Sequence, residues 1–169
     1  VKVHLPDVFH DLRSIIQGNI SSKQQELYID TQNVVHEDII TDKLRLNQVL
    51  LNVVGNAIKF TPVGGMINIR VSEQPCRRAG YASYVFSIRD SGIGMSKEFQ
   101  EHIFDAFARE QTVTKSGIQG TGLGLAISKN IIDMMGGTIK VNSETGKGSE
   151  FLISIESKIS EETVKYKPV

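Results

Sequence analysis

From Lys43 to Phe60 the apolar residues Leu46, Val49, Leu50, Val53, Val54, Ala57 and Ile58 recur at helical steps and cover most of one circumference. Asp42 stands where an N-cap belongs, so a largely buried helix is predicted over this run. A second helix is predicted from about Pro6 to Lys23, a third over Lys97 to Arg109, and a fourth over Leu123 to Met135. Alternation marks strands instead at Val1–Leu5, Glu26–Asn33 and Met66–Ser72, with a short extended piece at Asp38–Thr41. The apolar run Tyr84-Val85-Phe86-Ser87-Ile88 makes a further strand ending at Asp90, joined to the preceding one through residues 74–80. A final hairpin is expected from Thr138–Val141 and Glu150–Ile155, turning over the Gly-rich stretch between them. Helices and strands mixed in this order suit an α+β chain: a two-layer α/β sandwich with a mixed sheet and helices on one face.

A polar stripe interrupts the apolar helix of residues 43–60. Arg45, Gln48, Asn52, Asn56 and Lys59 follow one another at three or four residues and share a face. A half-exposed helix with a solvated side would show the same stripe. A ligand-lined face is the other reading: Asn offers a neutral carbonyl oxygen to a hard cation, and Lys a point charge to phosphate. If the stripe is buried its amides need partners, since an unpaired one costs roughly 1–3 kcal/mol.

Two glycine clusters follow the helix. Asp90-Ser91-Gly92-Ile93-Gly94 closes a strand, and Gly120-Thr121-Gly122-Leu123-Gly124-Leu125 opens a helix. Neither is a P-loop or the strand–turn–helix fingerprint of a dinucleotide site. Between them the stretch 110–119 has no apolar period and is expected to be a mobile loop.

The set resembles one family. Asn52-Val53-Val54-Gly55-Asn56-Ala57-Ile58-Lys59-Phe60-Thr61-Pro62 is similar to the N box of bacterial sensor histidine kinases, and Asp90 to Gly94 to their G1 box. Ile103-Phe104-Asp105-Ala106-Phe107-Ala108-Arg109 resembles the F box, Gly120 to Leu125 the G2 box, and Gly136-Gly137-Thr138 through Gly148-Ser149-Glu150-Phe151 the closing hairpin. The motifs keep the family's order and spacing from about Asp42 to Ile155.

The resemblance implies the Bergerat ATP-binding fold, with ATP and Mg2+ held between the helix layer and a lid at 110–119. By this likeness Asn56 is the Mg2+ ligand, Asn52 and Lys59 are phosphate contacts, and Phe60 lies in the same box. Asp90 looks like the carboxylate that accepts from the adenine amino group. Guanine, with a carbonyl there, would face a repelling charge; alone, an Asp before Gly is also an ordinary turn residue. Gly92 and Gly94 let the backbone pass close to the base. Gly120, Thr121, Gly122, Leu123 and Gly124 bring helix-end amides to the phosphates, where the helix dipole favours negative charge. Ser149 sits where the family has a small hydroxyl near adenine. Arg109 resembles the F-box arginine that reaches the terminal phosphate, and Phe104 and Phe107 are expected to share a helix face. Lys115 in the lid is expected to be solvated.

The 169 residues suit one domain, with residues 1–158 as its body and 159–169 as a loose charged tail. Lys plus Arg and Asp plus Glu number 19 each, and no basic patch tracks a nucleic-acid backbone. A single cysteine, Cys76, excludes an internal disulfide, and the four histidines lack metal-ligand spacing. No apolar run reaches the roughly 18 residues of a membrane span. The expectation is an excised cytoplasmic module, not itself membrane-inserted, of something longer, with a membrane-anchored sensor as one candidate.

Three functions compete. The first is transfer of the ATP γ-phosphoryl group to a histidine on a separate dimerisation domain, with a response-regulator receiver downstream; Asn52, Lys59 and Arg109 would be the groups acting on the phosphates. The second is a Bergerat-fold ATPase. The hydrolases of this superfamily place a Glu one helical turn before the metal-binding Asn, and here that place holds Asn52, which cannot act as a base. The third is a nucleotide-binding interaction module without kinase activity. Phe9-His10-Asp11-Leu12-Arg13-Ser14 mimics a phosphoacceptor box, but Ile15 replaces its proline. His10 also lies only 46 positions before Asn56, too close for a helical hairpin between them. The acceptor histidine is expected outside this chain.

Overall fold

The computed structural model describes residues 1–105 and 124–160. The chain opens with β1 (Lys2–His4) and α1 (Leu5–Ser22), then β2 (Glu26–Gln32) and β3 (Asp38–Ile40). The long helix α2 (Lys43–Phe60) leads to the antiparallel pair β4 (Met66–Gln74) and β5 (Tyr81–Asp90). The short helix α3 (Lys97–His102), α4 (Gly124–Met134), β6 (Thr138–Glu144) and β7 (Gly148–Ile159) complete it. The strands form one seven-stranded sheet in the order β1-β3-β7-β5-β4-β2, with β6 paired to the first half of β7. Among the described strands only β2 and β4 pair in parallel, and α2 lies in the crossover between them. The expected mixed sheet of a two-layer α+β fold is therefore present.

Alternation along the central strands decides the layering. On β5, Ala82, Tyr84, Phe86 and Ile88 are buried, as are their β7 partners Ser157, Ile155, Ile153 and Phe151. The helices cover that face. α2 supplies Leu46, Val49, Leu50, Val53, Val54, Ala57 and Ile58 to the same core, and α1 adds Val8, Phe9, Leu12, Ile16 and Ile20. The opposite face is polar, with Arg70 and Asp30 paired across β4 and β2. That pair holds the Asp30 carboxyl below its ordinary range, mainly through the hydrogen bonds from Arg70.

Both ends of α2 are tied down. The Asp42 side chain accepts from the Arg45 amide, as an N-cap should. At the other end the Lys23 ammonium donates to the carbonyls of Ile58 and Lys59, and buried Gln25 donates to Ile58 and Thr61. These bonds fill carbonyls that the helix itself leaves open.

Three expected boundaries move. The helix predicted from Lys97 to Arg109 ends at His102, and residues 103–105 turn instead. The reason is Phe104, which leaves the helix to meet Phe151 edge-on at 6.3 Å. Phe107 lies outside the described residues. The final hairpin is longer than its apolar alternation, because its polar residues Asn142, Ser143 and Glu144 continue the ladder with Glu150, Ser149 and Gly148. The ordered body passes residue 158: Ile159 pairs with Ile39, and the Ser160 amide donates to Asp38.

Candidate functional site

Helix α2 presents its polar stripe as a graded face. Arg45, Gln48 and Lys59 are exposed, whereas Asn52 and Asn56, one turn apart in its middle, are half-buried. The stripe is thus neither sealed in the core nor fully solvated. Asn52 faces α4: its Nδ2 donates to the Gly124 carbonyl at 3.2 Å and to the Ser128 hydroxyl at 3.3 Å. The side chains of Asn56 and Lys59 have no hydrogen-bond partner among the described residues.

The other end of α2 meets the first glycine cluster. The Phe60 carbonyl accepts from the Ile93 amide at 3.3 Å. A Cβ on Gly92 would sit 2.4 Å from that same carbonyl oxygen, and one on Gly94, whose φ is +71°, would sit 2.0 Å from the Glu144 carbonyl. Both contacts are shorter than any side chain tolerates, so glycine is obligatory here. One helix therefore touches both glycine clusters, through Phe60 at its end and Asn52 at its middle.

Asp90 closes β5 and is 8% exposed. Its Oδ1 accepts two amides, from Gly92 at 2.8 Å and Ser149 at 3.3 Å. No donor reaches Oδ2 among the described residues. Burial pushes the carboxyl pKa up, and the Gly92 and Ser149 amides oppose it without cancelling it. Oδ2 is not one of the sealed unpartnered atoms of the described residues, so it stays open to solvent and to a ligand amino group.

A relay behind Asp90 fixes its setting. The Ser143 hydroxyl accepts from the Met95 amide at 2.8 Å, lies 2.9 Å from the Gly148 carbonyl and 2.7 Å from the Ser149 hydroxyl. Gln100 on α3 grips the Ser143 backbone on both sides, donating to its carbonyl and accepting from its amide. Ser149 thus reaches Asp90 through its backbone N–H, with its hydroxyl engaged by Ser143. Sequence reading missed Gln100, Ser143 and Ser128; each is a common polar residue whose part is set only by tertiary contact. Arg109, Gly120, Thr121, Gly122, Leu123 and the expected lid at 110–119 lie outside the described residues.

Among the described residues no group of three or more His, Cys, Asp or Glu could hold a metal ion. The donors present are the amide oxygens of neighbouring Asn side chains. Such a set fits Mg2+, which keeps several waters and is commonly shared with phosphate oxygens instead of being caged by protein. No helix of the described residues is long and apolar enough to cross a membrane.

The fold and this site define a nucleotide-binding ATPase class. Residues 41–159 match the model of the histidine kinase-, DNA gyrase B-, and HSP90-like ATPase family, and the chain belongs to that family. Within it, the chain is similar to sensor histidine kinases. It is 35% identical over 152 residues to the autoinducer 2 sensor kinase/phosphatase LuxQ of Vibrio parahaemolyticus, covering 90% of this chain and 18% of that one. It is 41% identical over 158 residues to the sensor histidine kinase AruS of Pseudomonas aeruginosa, covering 92% of this chain and 15% of that protein. The chain thus spans less than a fifth of these curated relatives. Among solved structures, full-length ShkA in complex with AMPPNP superposes with a TM-score of 0.77 at 29% identity, over 95% of this chain and 31% of that one. The catalytic domain of the histidine kinase ThkA gives a TM-score of 0.75 at 28% identity, over 92% of this chain and 93% of the domain. Its near-complete coverage marks this chain as the equivalent of a histidine-kinase catalytic domain.

Proposed function

We propose that this chain binds Mg-ATP and directs the γ-phosphoryl group onto a histidine carried by a separate helical dimerisation domain of the same kinase. The observation that carries the reading is α2 itself, which touches both glycine clusters, one through the Phe60 carbonyl and the other through Asn52 of its polar stripe. The adenine amino group would donate to Oδ2 of Asp90, with Gly92 and Gly94 beside the base. The triphosphate would run along α2, past Lys59 and Asn56, to the amides of residues 120–124. Asn56 would hold Mg2+, which when bound would screen the phosphate charges, and Asn52 stands one turn before it on the same face. Arg109 would reach the terminal phosphate.

Phosphoryl transfer asks mainly for position and charge stabilisation. Lys59 supplies a point charge, the glycine-rich helix start supplies amide donors, and the acceptor imidazole would be its own nucleophile. Asn52 occupies the place of a water-activating base and has an amide there, which favours transfer over hydrolysis. A response-regulator receiver would take the phosphoryl group onward. ThkA, 26% identical with a TM-score of 0.73, is described in complex with the response regulator TrrA.

The test uses γ-labelled ATP. This chain alone is expected to bind nucleotide without acquiring acid-labile label, and to label an added dimerisation domain of its own kinase. Stable label on the chain alone would return His10, which is exposed on α1, to consideration as an acceptor.

A further inference from the structure

Ser128 is fully buried on α4, four residues after Gly124. Its hydroxyl lies 2.9 Å from the Gly124 carbonyl and 3.3 Å from Nδ2 of Asn52, while Nδ2 also reaches the Gly124 carbonyl at 3.2 Å. A serine hydroxyl has one proton. A carbonyl oxygen only accepts, so that proton goes to Gly124. Toward Asn52 both neighbours are then acceptors, and the side chain that meets them must present its NH2 group. The reversed amide would aim a carbonyl oxygen at two other oxygens. The two oxygens are 2.9 Å from each other and 3.2 and 3.3 Å from Nδ2, close enough together to share one amide hydrogen, and they hold the NH2 end of the side chain against α4.

We infer that Ser128 is a positioning residue: with the Gly124 carbonyl, its hydroxyl fixes the Asn52 amide so that this side chain turns Oδ1, not its NH2 group, toward the ligand. The inference rests on the nucleotide-site reading above. A contact from Asn52 to a phosphate oxygen needs a donor, and the NH2 end is held against α4. What remains is Oδ1, which suits a magnesium ion or the water bound to it. The bond also couples two parts of the site, because α4 begins at the last glycine of the second cluster. Any shift of that helix start is felt at Oδ1 of Asn52. A half-buried Asn without such a clamp would rotate between donor and acceptor, and the stripe would lose its distinction between cation and phosphate.

The experiment is a double-mutant cycle read by calorimetry with ADP, in excess MgCl2 and in EDTA. The ratio of the two affinities is the magnesium linkage. Ser128→Ala is expected to reduce that ratio roughly two- to tenfold, the worth of one hydrogen bond, with the EDTA affinity unchanged. In an Asn52→Ala background the same substitution is expected to change the ratio no further. An unchanged ratio in Ser128→Ala, or an equal loss in both backgrounds, would overturn the inference. A native chain that binds ADP equally well with and without Mg2+ would overturn the inference alone, whereas one that binds no ADP would overturn the nucleotide-site reading. Should Ser128→Ala fail to fold, the native chain still decides. Its Asn52 side-chain amide protons, identified by their loss in Asn52→Asp, are expected to be protected from exchange both alone and with Mg-ADP. Exchange at the rate of an exposed Asn would sink the clamp.

Discussion

The two ends of the site are built in opposite ways. Around Asp90 recognition is assembled from backbone: two amides on one carboxylate oxygen, glycines with no space for a Cβ, and a serine–glutamine relay behind them. Along α2 it is assembled from side chains on a helix, with Asn56 half-buried and Lys59 exposed. The first end is finished before any ligand arrives. The second is a display whose partners come with the ligand. A base is a rigid object that rewards a rigid frame, whereas a triphosphate with its metal is charged and flexible, and side chains can follow it.

The glycines break this comparison most sharply. Gly148 has a φ of +93°, and a Cβ there would lie 2.0 Å from the Asp90 carbonyl. Gly148→Ala should therefore destabilise the fold by about 3 kcal/mol or more. Gly124 is different: the nearest atom to its Cβ position is Cγ of Asn52 at 3.8 Å, an ordinary contact. Gly124→Ala should move stability by no more than about 1 kcal/mol, in either direction. Thermal or urea denaturation of the two variants checks the contrast. Equal costs would mean that the two ends of the site are not built differently.

Replacement of Asp90 comes next. Asp90→Ala should weaken ATP and ADP alike by roughly 10- to 150-fold, the range for one charge-assisted hydrogen bond. Asp90→Asn goes further, because the two amides that hold Oδ1 will keep an oxygen there and turn the new NH2 group toward the base. It should shift preference from ATP toward GTP, whose ring offers a carbonyl. Competition binding with the two nucleotides decides it; an unchanged base preference would reduce Asp90 to a turn residue. At the other end, Asn56→Ala should lower affinity about tenfold in Mg2+ and little in EDTA, if its amide oxygen is worth one bond to a charged group. Equal loss in both conditions would remove Asn56 from the metal.

What the sequence revealed follows the same division. The α2 stripe was legible because helical period is written in consecutive steps, and Asp90 because an Asp with two glycines closes an alternating run. The order of motifs carried the family. The relay was not legible. Gln100 and Ser143 are 43 residues apart and meet only because β6 folds back beside α3. Ser128 looks like any small residue on a helix until Asn52 is found against it. The misplaced end of α3 has a related cause: two aromatics three apart suggest a helix face, yet Phe104 is claimed by Phe151 on another strand. The hairpin ran past its apolar alternation because backbone pairing at an edge does not require apolar side chains.

The smallest effect expected is in pH, and it separates the ends without altering shape. Burial raises the Asp90 carboxyl above its ordinary value of 3.8, against the pull of two amides. The folded chain therefore takes up this proton at a higher pH than the unfolded chain does. The contribution to stability is fully present below 3.8 and is lost as pH rises through the raised value. Adenine binding has the opposite sign, since a protonated carboxyl accepts less well. Total stability mixes in Asp30 and Glu73, both held below their ordinary values, and these lose stability as pH falls. The clean quantity is the difference between the native chain and Asp90→Asn. The variant should be the more stable above the raised value, and its advantage should shrink as acid protonates the native carboxyl. Over the same window the native chain's ADP affinity in EDTA should fall while its magnesium linkage, taken relative to that of Asp90→Asn, holds, because Asn52 and Asn56 do not titrate and the nucleotide phosphates titrate alike for both chains. Denaturation and calorimetry across that range measure both. A linkage that fell in step with the base affinity would mean that the two ends are not independent, and that Asp90 sets more than the base.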